Sequence, residues 1–463
     1  MIFFSALGLF AQAAGKPPVI IIPGVTGSDL TNPKTGKTVW FSVKRDKDDD
    51  LRLPLRSQVL ADNRDSLVPK DIIRVVEVPI LPDVEVYQTL IDALKARGYT
   101  EGNWNSPKSS DVFYVFPYDW RRDNVESARM LIQKMERAKR ILKRPDLKFD
   151  ILAHSMGGLI ARYAAMYGKA EPPKNIAPRP TWAGAVHIEK LMMFGTPNEG
   201  AMSSFDSLIN GYPIVADRNL PFVDDLRPED VMSFPSAFQL LPHQNSVRFL
   251  DENLKPLKVD IYNIDEWIKY GWGAIADPKF LSKLKGSPLA KNDGKESDRN
   301  RDKNLDDHLI AHTTFAQVRA YFISALDRTR RFHAALDAVS RSAPIQIFAY
   351  GGNCSETLDA AVIVRDEKKE RWQTILDARG FKKSDGQEVK KDAVKAAIYT
   401  IGDGRVTQRS LLAETKINSG PEITTINFAS SLFTCGLHTR LFLDKPIQDS
   451  FLSALIVEKA IQP

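Results

Sequence analysis

One short segment limits the fold of this chain more than any other feature. It reads Ala153-His154-Ser155-Met156-Gly157-Gly158, and it lies between an apolar run at residues 149–153 and a helical pattern that continues from Leu159. Small residues two positions before and after a serine allow a strand to turn sharply into a helix, because such a turn brings backbones close together. The segment therefore predicts a nucleophile elbow, with Ser155 raised above a sheet and the Met156 N–H directed at a reacting carbonyl oxygen.

Strands and helices are predicted to alternate along much of the chain. The predicted strands are short apolar or β-branched runs bounded by turn residues, at residues 18–22, 111–116, 149–153, 188–194, 345–350, 396–401 and 423–428. Helical spacing of apolar residues follows at residues 87–99, 125–143 and 315–339. This alternation is typical of an α/β fold with a mainly parallel sheet, in which ligands bind at the carboxyl ends of the strands.

The alternation is lost between residues 201 and 309, where proline and bulky apolar side chains are frequent. We interpret residues 201–309 as an inserted cap or lid, although a second packed subdomain is an alternative. Within it, residues 291–307 are almost all polar and of both charge signs, which indicates an exposed flexible loop. The core then consists of residues 17–200 and 310–463.

Composition excludes several classes of protein. The 463 residues are 43% apolar and 26% charged, close to globular averages, so a disordered, fibrous or membrane-embedded chain is not expected. The net charge of +6 is small for this length, and the longer charged stretches mix both signs. A nucleic-acid reader would concentrate its basic residues, so we expect no nucleic-acid partner.

Residues 1–14 combine a short apolar run with the small-residue end of a signal segment. Export to the periplasm or outside the cell is the favoured interpretation, but no basic residue precedes the run, so a cytoplasmic location is the alternative. Two cysteines, Cys354 and Cys435, would permit one disulfide in an exported protein, or they could be two free thiols. They are too far apart, and lack a nearby partner cysteine, to suggest a metal site.

A serine nucleophile needs a base and an acid, and the order of an α/β-hydrolase places both downstream of it. Asp403 follows a predicted strand inside Gly402-Asp403-Gly404, and His438 lies in a later loop. We predict that Asp403 orients the imidazole of His438, which moves the proton of Ser155. An ordinary turn is the alternative role of the Gly-Asp-Gly segment.

The tetrahedral intermediate also needs a second oxyanion donor besides Met156. The turn Pro23-Gly24-Val25-Thr26-Gly27 follows the first strand and is the natural source. We predict that the backbone N–H of Val25 donates, while Gly24 stays possible as the donor.

The other histidines are weaker candidates for the base. His154 lies inside the elbow and is expected to point away from the neighbouring serine. A structural or solvated role is the expectation for four histidines in the cap or on helices, namely His243, His308, His312 and His333.

A set of motifs occurs in an order that resembles the lecithin:cholesterol acyltransferase family, which includes lysosomal phospholipase A2 and phospholipid:diacylglycerol acyltransferases. The motifs are Pro23-Gly24 with Gly27, Tyr118-Asp119-Trp120-Arg121, His154-Ser155-Met156-Gly157-Gly158, Gly195-Thr196-Pro197, Gly402-Asp403-Gly404 and His438. The resemblance extends from about residue 17 to 445. The Tyr-Asp-Trp-Arg block is its most discriminating part.

The resemblance implies an α/β-hydrolase core with a lipid-facing cap and an enzyme that cleaves or transfers fatty-acyl esters of lipids through an acyl-enzyme. It assigns Ser155, Asp403 and His438 as the triad, with the oxyanion held by backbone groups of Val25 and Met156. It further implies a lipid ester substrate and possible contact with a membrane or lipoprotein-like surface. The mechanism itself requires no cofactor, and we expect no metal site.

Four further expectations follow from the resemblance or are alternatives to it. Asp119 and Arg121 are expected to brace the fold, and Trp40 to lie either near a membrane-contacting region or in the core. A carboxylesterase for small soluble esters is an alternative function. A non-catalytic binding protein with a hydrolase fold is another, because a fold does not fix a function. The sequence leaves the oligomeric state open.

Overall fold

A computed structural model describes most of the chain: residues 15–42, 50–76, 84–213, 225–289, 313–339, 343–367, 370–416 and 422–456. The signal segment at residues 1–14, the charged loop at 291–307 and the histidines His308 and His312 lie outside the described residues. Export therefore stays a prediction.

The strands and helices alternate as the sequence predicts through the first half of the chain. The strands are β1 (Val19–Ile22), β2 (Leu30–Thr31), β3 (Thr38–Trp40), β4 (Val75–Val76), β5 (Val84–Glu85), β6 (Thr100–Glu101), β7 (Val112–Val115), β8 (Phe149–His154), β9 (Ile188–Phe194), β10 (Phe249–Leu250), β11 (Pro256–Leu257), β12 (Gln346–Gly352), β13 (Ser355–Leu358), β14 (Ala361–Asp366), β15 (Arg371–Ile375), β16 (Phe381–Lys382), β17 (Glu388–Val389), β18 (Tyr399–Gly402), β19 (Glu414–Lys416), β20 (Glu422–Thr424) and β21 (Ser430–Thr434). The helices are α1 (Gln88–Ala96), α2 (Asn124–Leu142), α3 (Met156–Tyr167), α4 (Met202–Asn210), α5 (Pro228–Met232), α6 (Pro235–Phe238), α7 (Ile264–Tyr270), α8 (Pro278–Leu281), α9 (Phe315–Leu336), α10 (Lys391–Ile398), α11 (Gln408–Leu411) and α12 (Lys445–Ile456).

The centre of the molecule is a seven-stranded sheet with the order β21-β12-β9-β8-β1-β7-β6. Every neighbouring pair in it is parallel. A parallel sheet of this kind is covered on both faces, and β1 shows how: Ile20 and Ile22 belong to one apolar cluster, whereas Val19 and Ile21 belong to another. Helices α2 and α3 cover the first face, and α1 and α12 cover the second. This arrangement confirms the predicted α/β fold.

Helix α3 is buried along its whole length. The long helix α9 packs against both α3 and α6. It begins at a capping box, in which the Thr314 hydroxyl accepts from Gln317 N and the Gln317 side chain accepts from Thr314 N. Helix α9 therefore connects α6, within residues 201–289, with α3, the helix that follows the elbow.

A second sheet of four strands has the order β11-β10-β14-β15. Its strands come from both sides of residue 309, because β10 pairs in parallel with β14. The predicted boundary between cap and second core segment at 309/310 stays a prediction, and this small sheet spans it.

Two predicted strands differ from the structure. Residues 396–398 of the predicted strand 396–401 end helix α10, and the strand starts only at Tyr399. Residues 396–398 are helical because Val394 and Ile398, four residues apart, are both fully buried in a small cluster beside β14. The last strand of the central sheet is Ser430–Thr434, beyond the predicted run 423–428, of which only the start lies in β20. Among the described residues, no helix combines the length and apolar composition needed to span a bilayer.

Candidate active site

Ser155 lies at the sharp turn between β8 and α3, as the elbow segment predicts. Its φ of 51° and ψ of −124° are strained for a residue with a side chain, a conformation that concentrates at functional turns. His438 Nε2 lies 3.0 Å from Ser155 Oγ, and His438 Nδ1 lies 2.8 Å from Asp403 Oδ2. The structure therefore brings the three predicted triad residues into one hydrogen-bonded chain.

The Gly-Asp-Gly segment holds Asp403 in a tight turn after β18. Asp403 Oδ1 accepts from the N–H groups of Arg405, at 3.0 Å, and Val406, at 2.7 Å. Oδ2 is thereby directed at the imidazole. Strand β18 is itself paired with β13, and Gly404 N donates to Thr357 Oγ1 on that strand. The segment is thus a turn that also fixes the orientation of the Asp403 carboxylate.

His438 is fixed from two sides. Its N–H donates to Asp403 O at 2.9 Å, so the two loops are joined through the backbone as well as through the side chains. Three residues earlier, Cys435 forms a disulfide with Cys354. Cys435 directly follows β21, and Cys354 lies two residues after the end of β12, its neighbour in the central sheet. The disulfide therefore links the loop that carries His438 to the end of the neighbouring strand β12. The two cysteines are paired, so the alternative of two free thiols is wrong.

The oxyanion-hole candidates are now distinguishable. Gly24 N donates to Tyr87 Oη at 2.8 Å, so that N–H is already used. Within the described part of the chain, the N–H groups of Val25 and Met156 have no hydrogen-bond partner. This favours Val25 over Gly24 as the donor beside Met156.

Tyr87 and His154 tie the loops of the site together. Tyr87 Oη lies 2.8 Å from His154 Nδ1, and His154 Nε2 lies 3.1 Å from the backbone oxygen of His438. Burial lowers the pKa of His154 to about 3, so the ring is neutral and can accept at Nδ1 while donating at Nε2. Sequence reasoning gave Tyr87 no role, because nothing local marks a tyrosine whose partners are 63 and 67 positions away.

Glycine is required at two close approaches. Gly195 has φ +57°, and a Cβ there would lie 2.9 Å from both Asp403 Oδ2 and His438 Nδ1. A Cβ on Gly157 would lie 2.5 Å from the backbone oxygen of Pro23. Gly195 therefore leaves room for Asp403 and His438, and Gly157 leaves room for the turn that begins at Pro23.

The sequence matches the family model of lecithin:cholesterol acyltransferase over residues 79–318, just over half of the chain. The chain belongs to the lecithin:cholesterol acyltransferase family. It is accordingly a lipid-ester hydrolase or acyltransferase. The matched segment contains Ser155 and the Tyr-Asp-Trp-Arg block, whereas Asp403 and His438 lie beyond its end.

Three solved structures are similar to the chain at low identity. The Tle4–Tli4 complex has a TM-score of 0.47 and 14% identity, covering 95% of this chain and 97% of that one. A lipase of Bacillus licheniformis, BlEst2, has a TM-score of 0.32 and 11% identity in its mature form, covering 96% of this chain and 93% of that one. Its propeptide form has a TM-score of 0.31 and 10% identity, with 97% and 52% covered. No functionally curated protein matches the sequence.

In this family member, the Tyr-Asp-Trp-Arg block supports the turn at residues 23–28. Tyr118 Oη donates to Pro23 O at 2.9 Å, and Trp120 Nε1 donates to Ser28 O at 3.2 Å. The fully buried Arg121 spreads its donors over the carboxylates of Asp119 and Asp65 and the backbone oxygen of Leu51. Asp119 and Arg121 thus brace the fold, as the family resemblance implies.

Trp40 belongs to the same support and not to a surface. Its side chain is buried, its ring packs on Trp120, and its Nε1 donates to Thr26 O at 2.8 Å. Of the two expectations for this tryptophan, core packing is correct.

Proposed function

We propose that this family member cleaves fatty-acyl esters of phospholipids through an acyl-enzyme on Ser155. The observation that carries the proposal is the chain Ser155–His438–Asp403 beside two backbone N–H groups, those of Val25 and Met156, which the described residues leave without a partner. A nucleophile, a base, an acid and an oxyanion site are the parts that acyl transfer needs.

Each part has a step to perform. His438 Nε2 takes the hydroxyl proton as Ser155 Oγ bonds to the ester carbonyl carbon, and the N–H groups of Val25 and Met156 hold the negative oxygen. His438 then gives that proton to the leaving alcohol as the carbon–oxygen bond of the ester breaks. Asp403 stabilises the positive imidazolium between the two steps. The acyl group is left on Ser155.

The second half of the reaction decides the class of enzyme. Water that loses a proton to His438 and attacks the acyl-enzyme releases a fatty acid. A lipid alcohol that attacks in the same way releases a new ester. The family name indicates lecithin as acyl donor and a sterol as acceptor for the family's namesake, and we extend only the phospholipid donor to this chain.

The test is product analysis on mixed phospholipid vesicles that contain a lipid alcohol. We expect wild type and the control Ser453→Ala, an exposed serine on α12, to release product equally. Ser155→Ala should lose at least about a thousandfold in rate, because the nucleophile is gone. Free fatty acid identifies a hydrolase and acylated alcohol identifies a transferase.

Three results would contradict the proposal. Full turnover by Ser155→Ala would exclude this serine as nucleophile. Turnover of short soluble esters, with none of vesicle lipids, would favour a small-ester carboxylesterase. A serine-directed phosphonate that labels neither wild type nor Ser453→Ala would favour a non-catalytic binding protein.

A further inference from the structure

Three side chains from separate parts of the fold meet beside helix α9. Glu199 follows β9 in the loop that begins at Gly195, His243 follows α6, and Asp337 directly follows α9. One ligand atom from each lies within 4.8 Å of the other two. His243 Nδ1 is 2.6 Å from Asp337 Oδ1 and 3.8 Å from Glu199 Oε2. None of the three takes part in the proposed acyl transfer.

The cluster is buried and incompletely hydrogen-bonded. Glu199 is 2% exposed and His243 is fully buried, yet Glu199 Oε1 and His243 Nε2 have no hydrogen-bond partner within the described residues. Burying a carboxylate in this way is costly unless a cation or donors compensate for it. Asp337 keeps a quarter of its side chain exposed, which opens the cluster to solvent on one side.

Neighbouring side chains hold the ring of His243 and the carboxylate of Glu199 in place. His333 stacks on it with ring centroids 3.9 Å apart, and both nitrogens of His333 are already bonded, to Tyr262 Oη and Gln239 O. Ser246 Oγ donates to Glu199 Oε2 at 2.5 Å and orients that carboxylate. Supporting contacts of this kind are typical around metal ligands.

One buried cation, Arg162, lies near the cluster, and its bonds go elsewhere. Its guanidinium donates to Asn198 Oδ1 and to Leu336 O, and not to either carboxylate of the cluster. It supplies one positive charge against two carboxylates, so an uncompensated negative charge remains when both are ionised.

We propose that Glu199, His243 and Asp337 form a binding site for a divalent transition-metal ion, with Zn²⁺ as the ion that fits best. One imidazole nitrogen and two carboxylate oxygens suit zinc, whereas calcium takes six to eight oxygen ligands. A tetrahedral zinc with bonds of about 2.0–2.2 Å holds its ligand atoms roughly 3.3–3.6 Å apart, so each ligand needs to move by less than about 1 Å. Water completes the fourth position on the open side of Asp337.

The ion would strengthen a junction of three elements that hydrogen bonds already join, between His243 N and Glu199 O, Ser246 Oγ and Glu199 Oε2, and His243 Nδ1 and Asp337 Oδ1. Glu199 lies four residues after Gly195, the glycine that touches Asp403 and His438. A metal at this place therefore connects the loop behind the triad with the segment after α6 and with the end of α9. The role is structural, since the site shares no residue with the triad. The sequence could not show it, because 94 positions separate His243 from Asp337.

The test is titration of the full chain with Zn²⁺ after treatment with a chelator, followed by calorimetry and metal analysis. We expect one ion per chain and a rise in Tm of roughly 2–5 °C at saturating zinc, because the ligand binds only the folded state. Glu199→Gln, which keeps the shape and the Ser246 contact, should weaken binding at least about 100-fold. Substitution of Co²⁺ should give the visible absorption of a tetrahedral site, and Glu199→Gln should abolish it.

The control is the double variant His308→Ala/His312→Ala, which removes two histidines that are not among the three proposed ligands. It should bind Zn²⁺ as wild type does. If His243→Gln fails to fold, the partly exposed Asp337→Asn replaces it and should lose affinity as Glu199→Gln does. Absence of stoichiometric zinc in wild type, unchanged binding by Glu199→Gln, or loss of binding in the double variant would each overturn the proposal. All of these readouts are independent of ester turnover, so they do not depend on the proposed function.

Discussion

At the scale of single residues, Gly195 leaves little room for a side chain beside Asp403 and His438. It combines a left-handed φ with contact to both the acid and the base. Gly271 matches it in backbone conformation, with φ +72°, but a Cβ there would meet nothing within 4 Å. The pair therefore separates the effect of backbone strain from the effect of crowding at the site.

We expect Gly195→Ala to lower kcat/KM by at least about 100-fold, because the added Cβ must displace Asp403 or His438 by a large part of an ångström. Gly271→Ala should lose only about 1 kcal/mol of stability and keep its activity. Steady-state kinetics on the same ester and thermal melts check both variants. Equal activity of the two variants would mean that the site tolerates the methyl group, and that close packing at Gly195 does not affect kcat/KM.

The residues of the proposed triad could be nominated from the sequence because each has a local signal. Ser155 lies between small residues, Asp403 lies between two glycines, and His438 follows the last strand. Tyr87 and the Glu199 cluster have no such signal, since their partners become neighbours only when distant strands pair.

At the scale of elements, the site is an assembly of loops from four strand ends. The turn after β1 carries the proposed oxyanion donor, the elbow follows β8, Asp403 follows β18, and the loop with His438 follows β21. Tyr87 and His154 are the side chains that join them, through Gly24 N and the backbone oxygen of His438. Their hydrogen bonds position the loops and do not touch the reacting atoms.

We expect Tyr87→Phe to lower kcat about 10- to 100-fold with little change in KM, because the oxyanion turn loses its anchor while the lipid site stays intact. Tyr167→Phe is the matched control, since Tyr167 is also buried and its hydroxyl donates to Ala335 O at 2.8 Å, away from the triad. Both variants should lose about 1–2 kcal/mol of stability. An equal fall in kcat for both, or a change confined to KM, would show that Tyr87 has only a structural role.

The elements themselves were predictable where one pattern acted alone. The runs at residues 18–22 and 188–194 became central strands because their side chains are buried on both faces of the sheet. The run at 396–401 was ambiguous, because its residues also satisfy a helical spacing with Val394, and burial of Val394 and Ile398 against the small sheet decided for the helix. The small sheet joins residues 249–257 to 361–375, and no local pattern announces a pairing across such a distance.

At the scale of the whole molecule, the central sheet contains one carboxyl that its surroundings do not neutralise well. Asp150 on β8 is fully buried, both of its oxygens lack a hydrogen-bond partner in the described part of the chain, and Lys190 Nζ lies 4.0 Å away. Burial is the main reason that the pKa of Asp150 rises to about 7. The unfolded chain holds this carboxyl at the ordinary value of about 3.9.

This difference makes the stability of the fold depend on pH in a defined direction. Between about pH 4 and 7 the folded protein keeps a proton that the unfolded chain has lost, so the free energy of unfolding falls as the pH rises, by about 1.4 kcal/mol per pH unit. Asp150→Asn removes the titration, and wild type should therefore lose about 2.7 kcal/mol relative to this variant between pH 5 and 8. Asp146→Asn is the control, because Asp146 is exposed and titrates below pH 5. A hydrogen bond from Arg144 is the main cause that lowers the pKa of Asp146 to about 2. Chemical denaturation of the three proteins at pH 5, 6, 7 and 8 measures the differences. A constant difference between wild type and Asp150→Asn would show that this carboxyl is already ionised in the folded core at pH 5.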